Sequence, residues 1–167
     1  LGIPIHHYVE VDFQGFKEIV DEIGGVEICV VYAARDKNSG LDIQPGCTNL
    51  DGTMALAYAR SRYYEEWDGD DWVIDGRADL GRIERQQLFI RAAVNGALAD
   101  MAASPFGSGD LIEAVAASVR VDPRLDPIKA GETLRKAAER GLKTYSLPVR
   151  NDTVGDAAVL QLADGAE

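Results

Sequence analysis

A chain of 167 residues with 46% hydrophobic and 27% charged content is long enough for one globular domain with its own core, which excludes disorder throughout. A formal net charge of −11 and a pI near 4.6 exclude non-specific nucleic-acid binding, which needs a cationic surface to displace counterions, so an anionic ligand must find a local basic pocket. No apolar run reaches the roughly 18 residues of a membrane span, because the most apolar stretch, Leu111 to Val121, is broken by Glu113 and Arg120.

His6 to Asp12 reads as a short strand. Neighbours in a strand face opposite ways, so His6 and His7 do not share a metal, and structural roles are expected for both. Asp12 caps a helix over Phe13 to Ile23, where Phe16, Ile19, Val20 and Ile23 recur at helical spacing. Gly24-Gly25 stops it and supplies positive φ rather than a phosphate loop. Val26 to Val31 is β-branched and apolar, as in a buried strand, and Arg35 to Gly46 reads as a loop rich in turn residues. Strand, helix, strand predicts an α/β unit. Cys29 and Cys47 leave two alternatives: a crosslink in an oxidising compartment, worth roughly 3 kcal/mol on the chain-entropy model, or two buried free thiols. The pair lacks CxxC spacing and a nearby His, which argues against zinc.

Asp51 is the natural cap of a helix from Gly52 to about Arg62 that turns Ala55, Leu56 and Ala59 inward. Tyr63 to Ala78 is acidic and aromatic, with Glu65, Glu66, Asp68, Asp70 and Asp71 around Trp67 and Trp72, and reads as a surface loop or hairpin: a solvated connector or a substrate-contacting lid. A helix is predicted from Asp79 to about Ala103, ending at Ser104-Pro105. Then come a short helix after Asp110, a small strand at Val119 to Val121, an amphipathic helix from Asp126 to Arg140 closed by Gly141, and a final strand from Leu142 to Val149. The domain is expected to occupy residues 1–150, with 151–167 a peripheral tail.

The helix from Asp79 carries the chemistry. At 100° per residue, Arg82 and Gln86 lie within about 60° of Asp79, on the side that also holds Ile83, Ile90 and Val94. Polar groups thus point where a core belongs. A buried guanidinium without a partner is costly, so these turns should line an anion pocket or hold internal ion pairs. Arg60 and Arg62 either complement the preceding helix dipole as solvated charges or join that pocket. Arg85, about 120° from Asp79, is expected at the surface or behind the first ligands. Asp79 is an N-cap or a functional carboxylate. Arginine forks and the free amides near Gly81 suit a pyrophosphate.

Four ordered motifs make the sequence recognisable: Val20-Asp21-Glu22-Ile23-Gly24-Gly25-Val26; Gly46 with Leu50-Asp51-Gly52; Ala55-Leu56-Ala57-Tyr58-Ala59-Arg60-Ser61-Arg62; and Asp79-Leu80-Gly81-Arg82 with Arg85-Gln86-Gln87. From about His6 to Met101 the chain resembles the C-terminal part of a LytR-CpsA-Psr family domain, and residues after Ser104 fit that family more loosely. The resemblance implies an αβα architecture with a central β-sheet flanked by helices and the N-terminal part of the domain missing. It also implies a phosphotransferase on the extracytoplasmic face of the membrane, held by an anchor upstream of this chain, which begins without an initiator Met. The implied chemistry moves a glycan from a polyprenyl pyrophosphate to a peptidoglycan hydroxyl with Mg2+. Arg60, Arg62, Arg82 and Gln86, with Arg85 more weakly, would bind the pyrophosphate, while Asp79 and Arg82 would be catalytic, Asp79 orienting the arginines or assisting proton transfer. The magnesium-holding aspartates are expected upstream of residue 1, so this chain is expected to be inactive alone. The cysteine spacing, which on this resemblance implies a Cys29–Cys47 disulfide, and the Trp-containing acidic loop resemble actinobacterial members, for which arabinogalactan is one candidate glycan; a teichoic acid is the other candidate. The alternative is a non-catalytic module that binds polyprenyl-phosphate lipid or wall glycan.

Overall fold

The computed structural model of the chain describes residues 4–103, 118–126, 129–130, 132–133, 136, 140, 148–155 and 157–162. The architecture is α/β, as expected. Among the described residues the strands pair into four antiparallel sheets, three of them two-stranded and one four-stranded.

The strand β1 is Val9–Val11, and α1 spans Phe13–Glu22. Asp12 caps α1 by accepting from the Gly15 N–H at 2.8 Å. The helix ends in a Schellman turn: the Gly25 N–H donates to the Val20 carbonyl and the Gly24 N–H to that of Asp21, with Gly24 at φ 77°. This is the positive φ expected of the glycine pair. The chain reverses into β2, Val26–Val30, which pairs with β5, Gly46–Leu50, in a register that sets Cys29 opposite Cys47. A disulfide joins them.

The segment expected as a loop from Arg35 to Gly46 is instead a hairpin. Its strands are β3, Ala34–Asp36, and β4, Leu41–Ile43, and Gly46 already belongs to β5. Ala34, Asp36, Leu41 and Ile43 alternate inward with period two, but strands of three residues are too short to stand out against the turn-forming residues between them. The acidic segment is a hairpin too, of β6, Glu65–Trp67, and β7, Trp72–Ile74, and β6 adds to β3 to give the order β4-β3-β6-β7. Trp67 and Trp72 face each other across it, edge to face at 5.6 Å. The Arg35 guanidinium lies 4.0 Å from the centre of the Trp72 ring and pairs with Glu65. The tryptophans therefore close the turn end of the hairpin against Arg35.

Two further helices carry the candidate site. The first, α2, is Gly52–Arg60, capped by Asp51, which accepts from the Met54 N–H at 2.8 Å. It crosses α1 so closely that a Cβ on Gly52 would lie 2.4 Å from the Lys17 carbonyl oxygen. The second, α3, is Ala78–Ala103, one residue longer at its start than expected. The core lies between these helices and β2 to β5: Val20, Val26, Ile28, Leu41, Ile43, Leu50, Ala55, Tyr58, Tyr64 and Phe89 are all buried.

The small strand β8, Val119–Val121, pairs with β1, and Asp122 beyond it accepts from the Tyr8 N–H and contacts His7 Nδ1. His7 thus helps tie two strands together. The expected short helix after Asp110, most of the helix from Asp126 to Arg140, and the strand from Leu142 up to residue 147 lie outside the described residues. The boundary expected at residue 150 falls inside a strand. Here β9, Val149–Val154, turns at Gly155 (φ 62°) into β10, Ala157–Leu162, a ladder six residue pairs long in what was read as a tail. None of the helices is long and apolar enough to cross a membrane, among the described residues.

Candidate functional site

The arginine turn between α2 and β6 is shaped by three buried partners. At Ser61 the chain leaves helical geometry for an extended one, with φ −60° and ψ 121°, so Arg62 exits α2 instead of continuing it. Asp36, only 1% exposed, sits beneath this turn. Its Oδ2 accepts from Ser61 Oγ at 2.7 Å and from the backbone N–H groups of Arg62 and Tyr63 at 3.1 and 3.0 Å, while Oδ1 accepts from those of Asn38 and Ser39. Burial pushes the Asp36 pKa up, but the donors from Ser61, Tyr63, Asn38 and Ser39 outweigh it and hold the carboxyl below the ordinary aspartate value.

The beginning of α3 meets this turn. Asp79 lies in the first turn of α3 rather than at its N-cap, and its Oδ1 is 2.7 Å from Arg82 Nη2 and 3.7 Å from Arg62 Nε. One carboxylate thus bridges arginines from two elements. Arg62 and Asp79 are 62% and 50% exposed, so solvent screens their pair. Arg82 is more enclosed, and its Nε–H is buried with no hydrogen-bond partner, a donor left over by the fold. Gln86, one turn further, donates its amide N–H to the Ala59 carbonyl at 2.9 Å and so caps a free carbonyl at the end of α2. Arg60 takes another direction: it is exposed, with its guanidinium 4.3 Å from the centre of the Phe13 ring.

Of the two positions expected for Arg85, at the surface or behind the first ligands, the structure shows the second: Arg85 is buried. Its Nη1 donates to Asp75 at 3.0 Å, its Nη2 donates to the Ser61 carbonyl at 2.9 Å, and its guanidinium lies 4.2 Å from the centre of the Tyr64 ring. The helical-wheel angle was sound, but α3 is covered on that side by Tyr64 and the loop after β7. Gly81 makes room: a Cβ there would meet Asp75 Oδ2 at 2.4 Å and Arg85 Nη1 at 3.1 Å. Asp75 also accepts from Arg77, which in turn pairs with Glu84. Burial raises the Asp75 pKa, but hydrogen bonds from Arg77 and Arg85 carry it below the ordinary value. Sequence reasoning missed Asp36, Ser61 and Asp75. Ser61 had one available signal, a small hydroxyl between two arginines at a helix end.

Two adjoining cavities of about 490 and 400 Å³ share Tyr32, Glu66 and Arg77, and the second reaches Gly81 and Arg85. Arg60, Arg62 and Arg82 line neither of them. Among the described residues the one close group of three ligand-type side chains is Glu27, Cys29 and Cys47, whose sulfurs are joined in the disulfide. That group does not suit magnesium, which takes hard oxygen ligands. Arg62, Arg82 and the N-terminal turn of α3 bring donors of the kind that suit an anion to one side of the molecule.

A family model described as the LytR_cpsA_psr family matches residues 1–166. The Cell wall biosynthesis protein LcpA of Corynebacterium glutamicum is 32% identical over 93% of this chain, which spans 28% of that protein. The Polyisoprenyl-teichoic acid--peptidoglycan teichoic acid transferase TagU of Enterococcus faecalis is 33% identical over 77% of this chain and 38% of its own length. Among solved structures, the LytR-Csp2A-Psr enzyme from Actinomyces oris superposes with a TM-score of 0.82 at 27% identity, covering 99% of this chain and 62% of its own. The chain thus spans less than half of these curated relatives.

Proposed function

The chain belongs to the LytR_cpsA_psr family, and on that premise we propose that it is the pyrophosphate-binding part of a phosphotransferase that moves a polyprenyl-pyrophosphate-linked glycan onto peptidoglycan. The observation that carries the reading is the convergence of Arg62 and Arg82 on Asp79, with the buried Arg82 Nε–H still without an acceptor. Two guanidinium groups and the N-terminal turn of a helix would give an anion its donors in an otherwise acidic protein. In the proposed reaction a peptidoglycan hydroxyl attacks the glycan-side phosphorus. The new O–P bond forms as the bridging O–P bond breaks, and polyprenyl phosphate leaves. Arg62 and Arg82 stabilise charge on the phosphoryl oxygens where it builds up. Asp79, which contacts both guanidinium groups, is proposed to orient them or to assist transfer of the hydroxyl proton. Gln86, engaged with Ala59, has one amide hydrogen left for a phosphate oxygen. Arg85 steadies the turn from behind, and Arg60 reaches the ligand only by leaving Phe13.

The proposal puts the reaction on the extracytoplasmic side of the membrane, where a structural disulfide persists, and assigns the membrane anchor and the magnesium ligands to the longer parent protein. The names of the relatives favour a cell-wall polymer such as a teichoic acid as the cargo, and arabinogalactan is carried as a candidate from the actinobacterial resemblance alone. A second reading is lipid or glycan binding without transfer, which the same arginine donors would serve equally well. The test is a transfer assay with magnesium, peptidoglycan and a lipid-pyrophosphate glycan analogue. The parent should turn over, its Arg82→Ala variant should lose transfer, and this chain alone should bind the analogue without turnover. Undiminished transfer by Arg82→Ala would refute the assignment.

A further inference from the structure

We propose that Asp36 is a positioning residue for the anion site, fixing the direction in which Arg62 leaves α2. The inference rests on the reading of Arg62 and Arg82 as pyrophosphate ligands. Asp36 lies in β3, on a different element from either arginine, and among the described residues it makes no ion pair. Its carboxylate is held by five donors instead. A carboxylate needed only to shape the β3–β4 turn would use one oxygen. Oδ1 does that, accepting from Asn38 and Ser39. Oδ2 is committed entirely to Ser61, Arg62 and Tyr63, the residues through which the chain breaks from the helix.

The physical effect is local and directional. In a continuing helix each residue advances about 100° around the axis and its N–H bonds back to the preceding turn. Here the Arg62 and Tyr63 N–H groups point at Asp36, and Ser61 is extended. The Ser61 carbonyl is held from the opposite side by Arg85 at 2.9 Å. The residue between the two arginines is thus gripped by its hydroxyl from β3 and by its carbonyl from α3, and Arg62 emerges toward Asp79. An amide at position 36 would keep the size but face two backbone N–H groups with donors of its own, or give up the Asn38 and Ser39 contacts.

The experiment is a double-mutant cycle read by calorimetric binding of inorganic pyrophosphate to this chain. Asp36→Asn should weaken binding by about tenfold or more while circular dichroism shows the fold retained, and it should have little further effect in an Arg62→Ala background. Asp36→Glu, which restores the charge, should recover part of the affinity. If Asp36→Asn does not fold, Ser61→Ala carries the same cycle, since it removes one donor and leaves the four backbone donors. An equal loss in the Arg62→Ala background, or no loss in either background, overturns the positioning role. Absence of pyrophosphate binding by the unaltered chain defeats the underlying reading itself, which separates the two failures.

Discussion

Replacing Arg85 with alanine should destabilise the fold far more than any substitution of a surface arginine would. The side chains of Arg85 and Asp75 are only 8% and 10% exposed, and their ion pair is 3.0 Å long. Removing one member leaves the other charge buried, which costs about 3–5 kcal/mol, and the Ser61 carbonyl loses its donor as well. The partial compensation of Asp75 by Arg77 places the expected loss toward the lower end. For a domain of this size each kcal/mol moves Tm by about 2–4 °C, so a fall of about 6–12 °C is expected. The assay is urea unfolding followed by tryptophan fluorescence, with Trp67 and Trp72 as reporters, backed by a calorimetric melt. The double variant Arg85→Ala/Asp75→Ala should recover part of the loss, because the stranded charge is gone. A single-variant cost under about 1 kcal/mol, or a double variant worse than the sum of the singles, would refute a buried structural role for Arg85.

Gly52→Ala should cost about 1–3 kcal/mol by overpacking, measured as a shift of the urea midpoint, because the new methyl meets backbone of α1 that cannot rotate away. Reducing the Cys29–Cys47 disulfide should cost roughly 3 kcal/mol on the chain-entropy model, read as the difference between melts with and without reductant. Stability should also fall in acid with a defined sign. The folded pKa values of Asp36 and Asp75 lie below the ordinary aspartate value of 3.8, so their contribution is present above that pH and is lost as pH drops through the lower folded values. Asp36→Asn should flatten the stability profile below pH 3.8, as followed by unfolding at stepped pH.

The helices were the legible part of this sequence because their signals are local. Asp12 and Asp51 each sit before an apolar run and each caps the helix it precedes. The convergence of Arg62 with Arg82 was also within reach, since the wheel put Arg82 on Asp79's side and the resemblance placed the other arginine nearby. What escaped depends on contacts between distant segments. Asp36 lies in a stretch whose turn residues mask a hairpin, and the donors that tie it to the arginine turn begin 25 residues later at Ser61. The sequence leaves Arg85 either at the surface or behind the first ligands, because a single helix cannot reveal that Asp75 and Tyr64 cover it. The β9–β10 hairpin was passed over because its first strand carries Arg150, Asn151 and Asp152, a polar run that gives no core-facing alternation.

A diphosphate is expected to engage Arg62 and Arg82 together. The direct measurement is titration of the 15N-labelled chain with inorganic pyrophosphate, following the arginine side-chain Nε–H resonances assigned by Arg62→Lys and Arg82→Lys. Saturable shifts of both, with Arg82 Nε–H moving to the position of a hydrogen-bonded donor and Arg85 unchanged, are the predicted result. Shifts confined to other arginines, or none up to millimolar pyrophosphate, would contradict it.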